Sequence, residues 1–319
     1  MSGPDGGTHK SGPRDDGTRG LPVIILNPTG ANGHARRLRP LLDRAVREGR
    51  ATLALTKGTR DAERLAREAA LAGCDVVAVG GDGTVNEVAT GILDAAASVC
   101  LGIVPAGTGN DYAYRTLKLP HDPARALEVA LSGMSRAMDA GSVNSRYFLN
   151  ALGVGLDANI AAAAERMKRV PLLRGEALYY AASLTELIFH YDRCPTLTFT
   201  ADGEPPSSRQ YAVAAISIGP TYGGGFQINP GADPCDGLFD LCTITKPGQL
   251  RALRLLPMIE QGKHLGQPEV TRRRVRAVTL EARQPIYAHL DGEIIRAARF
   301  EVRILPGAMR VRQDPRLEA

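Results

Sequence analysis

Three short loops in the first half of the chain combine glycine with hydroxyl, amide and carboxylate side chains: 27–31 (NPTGA), 80–84 (GGDGT) and 107–111 (GTGND). Glycine lets backbone N–H groups approach a phosphate closely, and the positive N-terminus of a following helix favours an anion. Asp82 adds a carboxylate that suits a magnesium-bound water or a ribose hydroxyl. A single loop of this kind is also an ordinary strand-to-helix turn, but three at successive strand ends favour a ligand site.

These loops match neither of two common nucleotide-binding patterns. GxxxxGK[ST] is absent, and no GxGxxG follows an apparent strand. The chain is therefore neither a Walker-type P-loop protein nor a typical dinucleotide-binding protein.

Two carboxylates in the second half, Asp233 and Asp236, lie three residues apart in a loop rich in glycine and proline. Both can converge on one hard cation, and Mg²⁺ prefers such oxygen ligands. A hairpin turn through Asp236-Gly237 explains the same residues without a metal.

The tripeptide Asp-Gly-Glu occurs twice, at 291–293 and at 202–204. In phosphoryl transfer a carboxylate can accept the proton of the attacking hydroxyl. On a regular strand Asp291 and Glu293 would point to the same face, but a turn at Gly292 would change that relation. Both therefore remain candidates for the base. The copy at 202–204 precedes Pro-Pro-Ser-Ser and is expected to be an exposed hairpin, so the tripeptide alone is a weak signal.

The elements that must position the first three loops alternate along the chain. Predicted strands cover 21–27, 51–56, 75–79 and 99–104, and predicted helices cover about 34–48, 61–71, 84–92 and 122–132. Alternation of strands and helices with short loops predicts an α/β domain with a parallel sheet. Ligands of such sheets bind outside the carboxyl ends of the strands, which is where the three loops fall.

After about residue 137 the pattern changes to strands separated by turns, with one helical stretch. Predicted strands cover 138–150, 194–200, 211–218, 238–244, 274–282, 286–290, 298–304 and 308–312, and the helical stretch covers about 157–191. This predicts a mostly antiparallel β domain, a sandwich or a barrel. The expected organisation is a disordered tail over 1–20, a first domain over 21–137 and a second over 138–304, with the strands of 305–319 able to return to the first domain.

The composition excludes several classes of protein. Of 319 residues 44% are apolar and 23% charged, as in a folded protein, and no run reaches the ~18 apolar residues of a spanning helix. No apolar core of a signal peptide is present at the N-terminus. Five cysteines without a CxxC favour a reducing cytoplasm over a disulfide framework or a zinc ribbon. Integral membrane, secreted and fibrous proteins are disfavoured.

The net charge of +5 comes from 39 basic residues, of which 33 are arginine, and 34 acidic residues. Aromatic residues are only 5% and tryptophan is absent, which disfavours a nucleic-acid partner. The helical stretch carries Arg166, Lys168, Arg169 and Arg174 beside the apolar step 170–173, an arrangement that could touch anionic lipid. Arg272–Arg274 with Arg276 form a second basic cluster. A solvated charged face is the more ordinary explanation of either cluster in a chain so rich in arginine.

GGDGTVNEV (80–88) resembles the nucleotide-binding loop of the diacylglycerol kinase catalytic-domain family, which includes bacterial diacylglycerol kinases, related lipid kinases and sphingosine kinases. GGDGT by itself is also found in NAD kinases. The combination is more specific, because five further segments are similar to family motifs in the same order: NPTGANGHA (27–35), PAGTGNDYA (105–113), LNALGVGLDA (149–158), GGGFQINPGADPCDGLFDL (223–241) and LDGE (290–293). The chain departs from the family pattern at Tyr114, where an arginine is usual and Arg115 is adjacent.

The resemblance implies a two-domain fold, with an N-terminal Rossmann-like parallel-sheet nucleotide domain and a C-terminal antiparallel β-sandwich. It implies ATP contacts at Asn27, Pro28, Thr29, Gly30, Ala31, Thr56, Gly81, Asp82, Gly83, Thr84, Val85, Asn86, Glu87 and Thr108. It also implies a structural Mg²⁺ site from Asp233, Asp236 and the backbone of Leu238, and catalytic carboxylates at Asp291 and Glu293.

The expected function is therefore that of an ATP- and Mg²⁺-dependent lipid kinase acting on the primary hydroxyl of a lipid alcohol, foremost diacylglycerol, to give phosphatidic acid. A sphingoid base, another lipid or NAD as acceptor remains open, as does a catalytically silent nucleotide- or lipid-binding protein. The expected location is cytoplasmic with peripheral contact at the inner membrane face, and the resemblance makes a homodimer plausible.

Overall fold

The computed structural model of the protein describes residues 20–167 and 175–318. The expected disordered tail lies almost entirely outside this range, as do Lys168, Arg169, Arg174 and the apolar step 170–173. Within the described residues no helix combines the length and the apolarity that are needed to cross a bilayer.

The first part of the chain alternates strands and helices as the sequence predicts. The elements are β1 (Val23–Leu26), a 3-10 helix (Gly30–Leu38), α1 (Arg39–Arg47), β2 (Thr52–Leu55), α2 (Asp61–Leu71), β3 (Val76–Gly80), α3 (Asp82–Asp94), β4 (Cys100–Pro105), a short π-helix (Tyr112–Thr116) and α4 (Pro123–Ser132). β2, β1, β3 and β4 pair in that order, all parallel.

Alternating residues of the parallel strands feed two apolar layers. On β1, Ile25 packs with residues of α2 and α3, whereas its neighbours Ile24 and Leu26 pack with residues of α1 and α4. Successive side chains of a strand point to opposite faces of the sheet, so a strand buried on both faces needs an unbroken apolar run. The helices therefore cover both faces and leave the carboxyl edge of the sheet for the glycine-rich loops.

Among the described residues, the second part is an antiparallel β domain with three α-helices. Its elements are β5 (Met134–Val143), β6 (Arg146–Phe148), β7 (Ala151–Gly155), α5 (Leu156–Met167), α6 (Gly175–Phe189), β8 (Thr196–Ala201), β9 (Ser207–Ser217), β10 (Phe239–Thr245), α7 (Gln249–Glu260), β11 (Val270–Val275), β12 (Ala277–Leu290) and β13 (Glu293–Gln313), with single 3-10 turns at Tyr191–Arg193 and Pro315–Glu318. The strand order is β11-β10-β9-β7-β12-β13, and β8 pairs with both β9 and β12. The expected fold class, an α/β domain followed by a β-sandwich, is confirmed.

The long strand β13 joins the two parts of the molecule. Its first half pairs antiparallel with β12, and its second half pairs with β5 and, at Arg310 and Val311, parallel to β4. All the strands therefore belong to one continuous sheet.

Several expectations about secondary structure are wrong in detail; the strand expected over 138–150, for example, is two strands, β5 and β6, joined by a turn at 144–145. The helix expected over 34–48 is a 3-10 helix followed by α1, and the strands expected on either side of 283–285 and 305–307 are the continuous strands β12 and β13, whose register shifts at those points. Helix α7 was missed. Ala252, Leu255 and Leu256 are its buried positions, but Pro257 in its last turn breaks the helical pattern in the sequence.

Candidate active site

The three glycine-rich loops lie together, at the carboxyl ends of β1, β3 and β4. They line one end of a cleft of about 1220 Å³ that continues between the two parts of the molecule. Thr29, Gly81–Gly83 and Gly107–Gly109 all contribute to its wall. The convergence follows from the parallel sheet, because the carboxyl ends of its strands share one edge.

The second and third loops touch through their backbones. A methyl group placed on Gly107 would lie 2.5 Å from the Cα of Gly81, so neither loop tolerates a side chain at this contact. Asn110, whose φ is +55°, holds the third loop through its side chain, which accepts from the Gly107 N–H at 2.9 Å and donates to the Gly107 carbonyl at 2.8 Å. The glycines are therefore required by close approach.

Helix α3 begins directly after Gly81, inside the cleft. The first N–H groups of a helix lack partners within the helix and carry the positive end of its dipole. Because Gly81 has no side chain to cap them, these groups are open to an anionic group in the cleft. This arrangement suits the phosphates of a nucleotide.

The first loop is ordered by the side chain of Asn27. Its carbonyl oxygen accepts from the Thr29 N–H and the Gly30 N–H, both at 3.1 Å, and its amide donates to the Thr84 hydroxyl at 3.1 Å. Asn27 thereby joins the first loop to the first turn of α3. It positions the loops rather than lining the cleft itself.

Two carboxylates, Asp82 and Asp111, lie beside the glycine-rich loops. Asp82 accepts from the Asn110 N–H at 2.8 Å, and buried Asp111 accepts from the Gly224 N–H at 2.7 Å. Burial, followed by the negative charge of Asp111, raises the pKa of Asp82 to about 7. The cleft therefore holds a carboxylate that titrates close to neutral pH.

Asp291 projects from the turn between β12 and β13 into a cradle of N–H donors. One carboxylate oxygen accepts from the N–H groups of Asn150 and Ala151 at 3.0 and 2.9 Å, and the other from Leu149 N–H at 2.7 Å and the Asn86 amide at 3.0 Å. Burial raises its pKa, and these hydrogen bonds oppose the rise. An ionised carboxylate has about four acceptor positions, so those of Asp291 are filled.

Glu293, two residues later, lies in a different environment. Its side chain is 51% exposed, lines the cleft and forms an ion pair with Arg146. The sharp turn, with φ of +47° at Asp291 and +93° at Gly292, separates the surroundings of the two carboxylates. The carboxylate of Glu293 is thus the one of the two that can meet a ligand.

Beyond Glu293 the cleft becomes apolar. Its wall there is formed by side chains of α5, α6, β9 and α7 and of the segment after β9, namely Ile160, Leu178, Tyr179, Val213, Phe226, Ile228, Leu256 and Ile259. One continuous cleft is therefore lined by the glycine-rich loops, by the two carboxylates Asp291 and Glu293 and by an apolar group of side chains.

Comparison with known proteins identifies the family of this fold and cleft. Residues 22–143 match the model of the diacylglycerol kinase catalytic domain, and residues 150–313 match that of the YegS C-terminal NAD kinase beta sandwich-like domain. The chain is 31% identical to a diacylglycerol kinase of Mycobacterium tuberculosis, over 92% of this chain and 94% of that protein. The chain belongs to the diacylglycerol kinase family.

Two further relatives agree with this assignment. A probable lipid kinase YegS-like protein of Pectobacterium atrosepticum is 31% identical over 92% of this chain and 97% of its own length. The crystal structure of a candidate diacylglycerol kinase from Bacillus anthracis superposes with a TM-score of 0.77 at 21% identity, covering 93% of this chain and 96% of that one, which shows the shared fold. The chain is thus a kinase of the lipid kinase type.

The loop expected to bind Mg²⁺ in this kinase lies outside the cleft. Asp233 and Asp236 are exposed, and each accepts a hydrogen bond from the N–H two residues on, at Cys235 and Leu238. Asp236 also forms an ion pair with Arg274. Two carboxylates and the Leu238 carbonyl are oxygen donors of the kind that suits a hard cation. No cluster of three or more His, Cys, Asp or Glu side chains arranged for a metal is present among the described residues.

A buried carboxylate, Asp139, fastens this loop to β5. It accepts from the Gly237 N–H at 2.7 Å and the Gly307 N–H at 2.8 Å, and its own N–H donates to the Pro234 carbonyl. Sequence reasoning did not find Asp139, because a single carboxylate within a strand carries no motif. The contacts make the loop part of the structural frame of the kinase.

The structure brings nine of the expected site residues of the kinase to the cleft wall: Thr29, Gly81, Asp82, Gly83, Asn86, Glu87, Thr108, Asp291 and Glu293. The remaining residues expected to contact ATP, for which that contact stays a prediction, are Asn27, Pro28, Gly30, Ala31, Thr56, Thr84 and Val85; of these, the Asn27 amide donates to the Thr84 hydroxyl. Glu87 has a second role, since it accepts from backbone N–H groups at Arg60 and Ala62, at the start of α2, and burial raises its pKa.

Among the contributors to the cleft of this kinase that sequence reasoning missed are Asp111, Arg146, Asn150 and Gly224. Three of them lie inside or beside segments that the motifs had marked. Asn150 joins the two parts of the molecule beside the cleft. Its amide donates to the Thr221 carbonyl at 2.7 Å, and its carbonyl accepts from the Thr116 hydroxyl at 2.8 Å. Arg115, next to the variant Tyr114, pairs with Asp111 at 3.2 Å.

Proposed function

We propose that the protein is an ATP- and Mg²⁺-dependent lipid kinase that phosphorylates the primary hydroxyl of diacylglycerol to give phosphatidic acid. The observation that carries the proposal is the single cleft, which runs from the phosphate-binding loops past Asp291 and Glu293 to an apolar end. A nucleotide at one end and a lipid at the other would bring a γ-phosphate and a hydroxyl to the middle. The names of the relatives support the same acceptor.

Glu293 is the general base in this proposal. Its carboxylate is exposed to the cleft, whereas both oxygens of Asp291 are occupied by N–H donors. Glu293 takes the proton of the lipid hydroxyl while the hydroxyl oxygen forms a bond to the γ-phosphorus. The bond between that phosphorus and the bridging oxygen of ADP breaks at the same time. Arg146 orients Glu293, and Asp291 is a positioning residue that fixes the turn.

The loops supply orientation and charge. Backbone N–H groups of Gly81–Gly83 at the start of α3 hold phosphate oxygens, and the contact between Gly81 and Gly107 fixes their direction. Mg²⁺, when bound with the nucleotide, neutralises charge on the phosphate oxygens. A second Mg²⁺ held by Asp233, Asp236 and the Leu238 carbonyl would stabilise the loop beside β5 and lies outside the cleft wall.

A labelled-ATP assay over a panel of acceptors tests the function. Diacylglycerol, monoacylglycerol and a sphingoid base in mixed micelles, and NAD in solution, are compared, and the product is identified by mass. The proposal expects phosphatidic acid from diacylglycerol at a rate at least tenfold above that with any other acceptor. Phosphorylation of NAD alone would overturn it, and ATP binding without transfer to any acceptor would indicate a silent binding protein.

The structural metal is tested by thermal unfolding. Mg²⁺ is expected to raise the melting temperature of the wild type and to have no effect on Asp233→Asn, because bound ligands stabilise the folded state. Asp202→Asn, a change in another exposed aspartate, serves as the control and keeps the response to Mg²⁺. An equal response in the wild type and in Asp233→Asn would place the ion elsewhere.

A further inference from the structure

An exposed apolar tip lies where the end of α6 meets the start of α7. Ile188, Phe189 and Leu250 form it, with exposed fractions of 48%, 73% and 75%. Most large apolar side chains of a folded domain are covered, so three such residues together at one place mark a contact surface. We call these three residues the α6–α7 tip.

The tip is held firmly by polar contacts. The Gln249 side chain donates to the carbonyls of Leu187 and Ile188 at 2.8 and 3.0 Å, which satisfies the end of α6 and fixes Leu250 beside it. The Tyr191 hydroxyl donates to the Pro247 carbonyl at 2.7 Å. Below the tip, Leu187, Tyr191, Ala252 and Leu256 pack in one apolar cluster. The exposed side chains are therefore presented on a built platform.

The charge around the tip is positive. The segments 188–193 and 246–254 contain Arg193, Lys246, Arg251 and Arg254 against one carboxylate, Asp192. Arg251 pairs with Glu269 and Lys246 approaches Asp192 at 3.6 Å. Arg193 and Arg254 are exposed and form no ion pair among the described residues. An apolar tip with flanking arginines fits an anionic lipid surface.

The basic cluster at 272–276 offers little free charge, because three of its four arginines are paired. Arginines 272, 273 and 274 lie on the edge strand β11, and each forms an ion pair with a carboxylate: Asp240, Glu204 and Asp236. Charged side chains protect an edge strand from pairing with another chain. The tip is therefore the better candidate for a lipid contact.

The tip is continuous with the proposed acceptor site. Both of its helices also line the apolar end of the cleft, α6 through Leu178 and Tyr179 and α7 through Leu256 and Ile259. A surface that holds these helices at a bilayer would hold the apolar end of the cleft near lipid.

We propose that the α6–α7 tip docks the protein onto an anionic lipid bilayer, with Phe189 and Leu250 entering the interfacial region and Arg193 and Arg254 facing the head groups. The proposal rests on the proposed lipid kinase function, because docking would bring the enzyme to its lipid substrate. Docking itself needs neither ATP nor turnover, so the two can fail separately.

The absence of tryptophan from the chain allows a direct test. Phe189→Trp places a single reporter on the tip, and Leu71→Trp places one on an exposed position of α2 in the first domain, where the leucine is 62% exposed. Vesicles of phosphatidylcholine with 30% phosphatidylglycerol, about one anionic lipid in three, are expected to shift the emission of Phe189→Trp to shorter wavelength and to leave Leu71→Trp unchanged. Equal behaviour of the two reporters overturns the proposal.

Affinity for the same vesicles gives the second test. The double variant Phe189→Ser/Leu250→Ser is expected to bind about tenfold or more weakly than the wild type, because the apolar area that enters the bilayer is removed. Arg193→Ala/Arg254→Ala is expected to bind more weakly and to lose most of the salt dependence. Leu71→Ser is the matched control. Vesicle binding by the double serine variant equal to that of the wild type would refute docking through the tip.

Two further measurements distinguish docking from catalysis and from self-association. Turnover of a dispersed short-chain diacylglycerol is expected to be unchanged in the serine variant; a wild type without turnover on any lipid would reject the kinase function and leave the docking result standing. If the serine variant alters self-association in analytical ultracentrifugation but not vesicle binding, the tip is an interface between copies of this chain, and the docking proposal is wrong.

Discussion

The two Asp-Gly-Glu turns have nearly the same local structure. Asp202 and Asp291 both have a φ of +47°, and a glycine of positive φ follows each. Asp202 exchanges hydrogen bonds with the backbone of Ala277, and Asp291 does the same with Ala151. In both turns the aspartate side chain therefore ties the turn to the backbone of a neighbouring antiparallel strand.

The glutamates also correspond, since Glu204 pairs with Arg273 and Glu293 with Arg146. What differs is the surroundings. The first turn is exposed at the far end of β12, whereas the second meets Asn86 of α3 across the boundary between the two parts of the molecule and lines the cleft. The tripeptide by itself therefore forms the turn. The position of that turn in the sheet decides whether the turn lines the cleft.

The two glutamates should show the largest difference between the two turns. Glu293→Gln should lower the turnover of lipid by about 10²–10⁴-fold, because a general base contributes that much. Glu204→Gln, in the same local turn, should stay within about twofold of the wild type. The labelled-ATP assay measures both. Full activity of Glu293→Gln would withdraw the assignment of the base.

The two aspartates differ next. Asp291→Asn replaces one acceptor oxygen by an amide that faces N–H donors, so we expect a loss of about 2–3 kcal/mol in the free energy of unfolding and a lower turnover. Asp202→Asn lies in an exposed turn and should lose about 1 kcal/mol or less without a change in turnover. Denaturant unfolding followed by the kinase assay compares them. A larger loss of stability at Asp202 would reverse our interpretation of the two turns.

The third prediction concerns Asp82, which lies near the turn in the cleft. The negative charge of Asp291 in that turn is one of the causes that raise the pKa of Asp82. A carboxyl with a folded-state pKa of about 7, raised by burial and by Asp111, binds its proton more tightly folded than unfolded. Its contribution to stability is therefore present below the unfolded pKa, near 4, and is lost as the pH rises through about 7.

Asp82→Asn should consequently be more stable than the wild type at pH 8, by up to about 4 kcal/mol, with the difference vanishing near pH 4. Its turnover should fall, because the carboxylate lies at the glycine-rich loops. Asp202→Asn is the control and should show no such gain at pH 8. Unfolding curves across pH measure the difference, and a gain that is independent of pH would contradict the shifted pKa.

The smallest effects concern the two arginines. Arg146→Ala and Arg273→Ala each remove an exposed ion pair, so each should change the free energy of unfolding by less than about 1 kcal/mol. Only Arg146→Ala should also slow turnover, by several-fold, because its partner Glu293 lines the cleft. Equal turnover of the two variants would remove the orienting role of Arg146.

Much of this arrangement could be predicted from local sequence. The apolar runs that end in glycine-rich loops predicted the parallel strands and the carboxyl-edge position of the loops. An apolar run and the composition of a loop are both properties of neighbouring residues. Helix α7 and the continuity of β12 and β13 could not be predicted in the same way. Pro257 breaks a periodicity that tertiary packing overrides, and the register shifts at 281–286 and 305–309 hide strands that continue past a proline.

The choice between Asp291 and Glu293 shows the same limit. Their spacing predicts a shared face on a regular strand, and the turn at Gly292 removes that relation. Nothing local distinguishes the filled oxygens of Asp291 from the exposed carboxylate of Glu293, since the N–H donors come from residues 149–151, more than a hundred positions away.

Local sequence decides which side chains are present and what turn each one makes, because glycine, aspartate and proline act on their own backbone. It placed the glycine-rich loops at the carboxyl ends of strands and the two Asp-Gly-Glu tripeptides in turns. Which of the two tripeptides meets the cleft depends on the fold of the whole chain. That outcome depends on β13 crossing from one part of the molecule to the other and on Asn86 reaching Asp291, contacts whose partners are far apart in the chain and are selected by packing of the whole sheet.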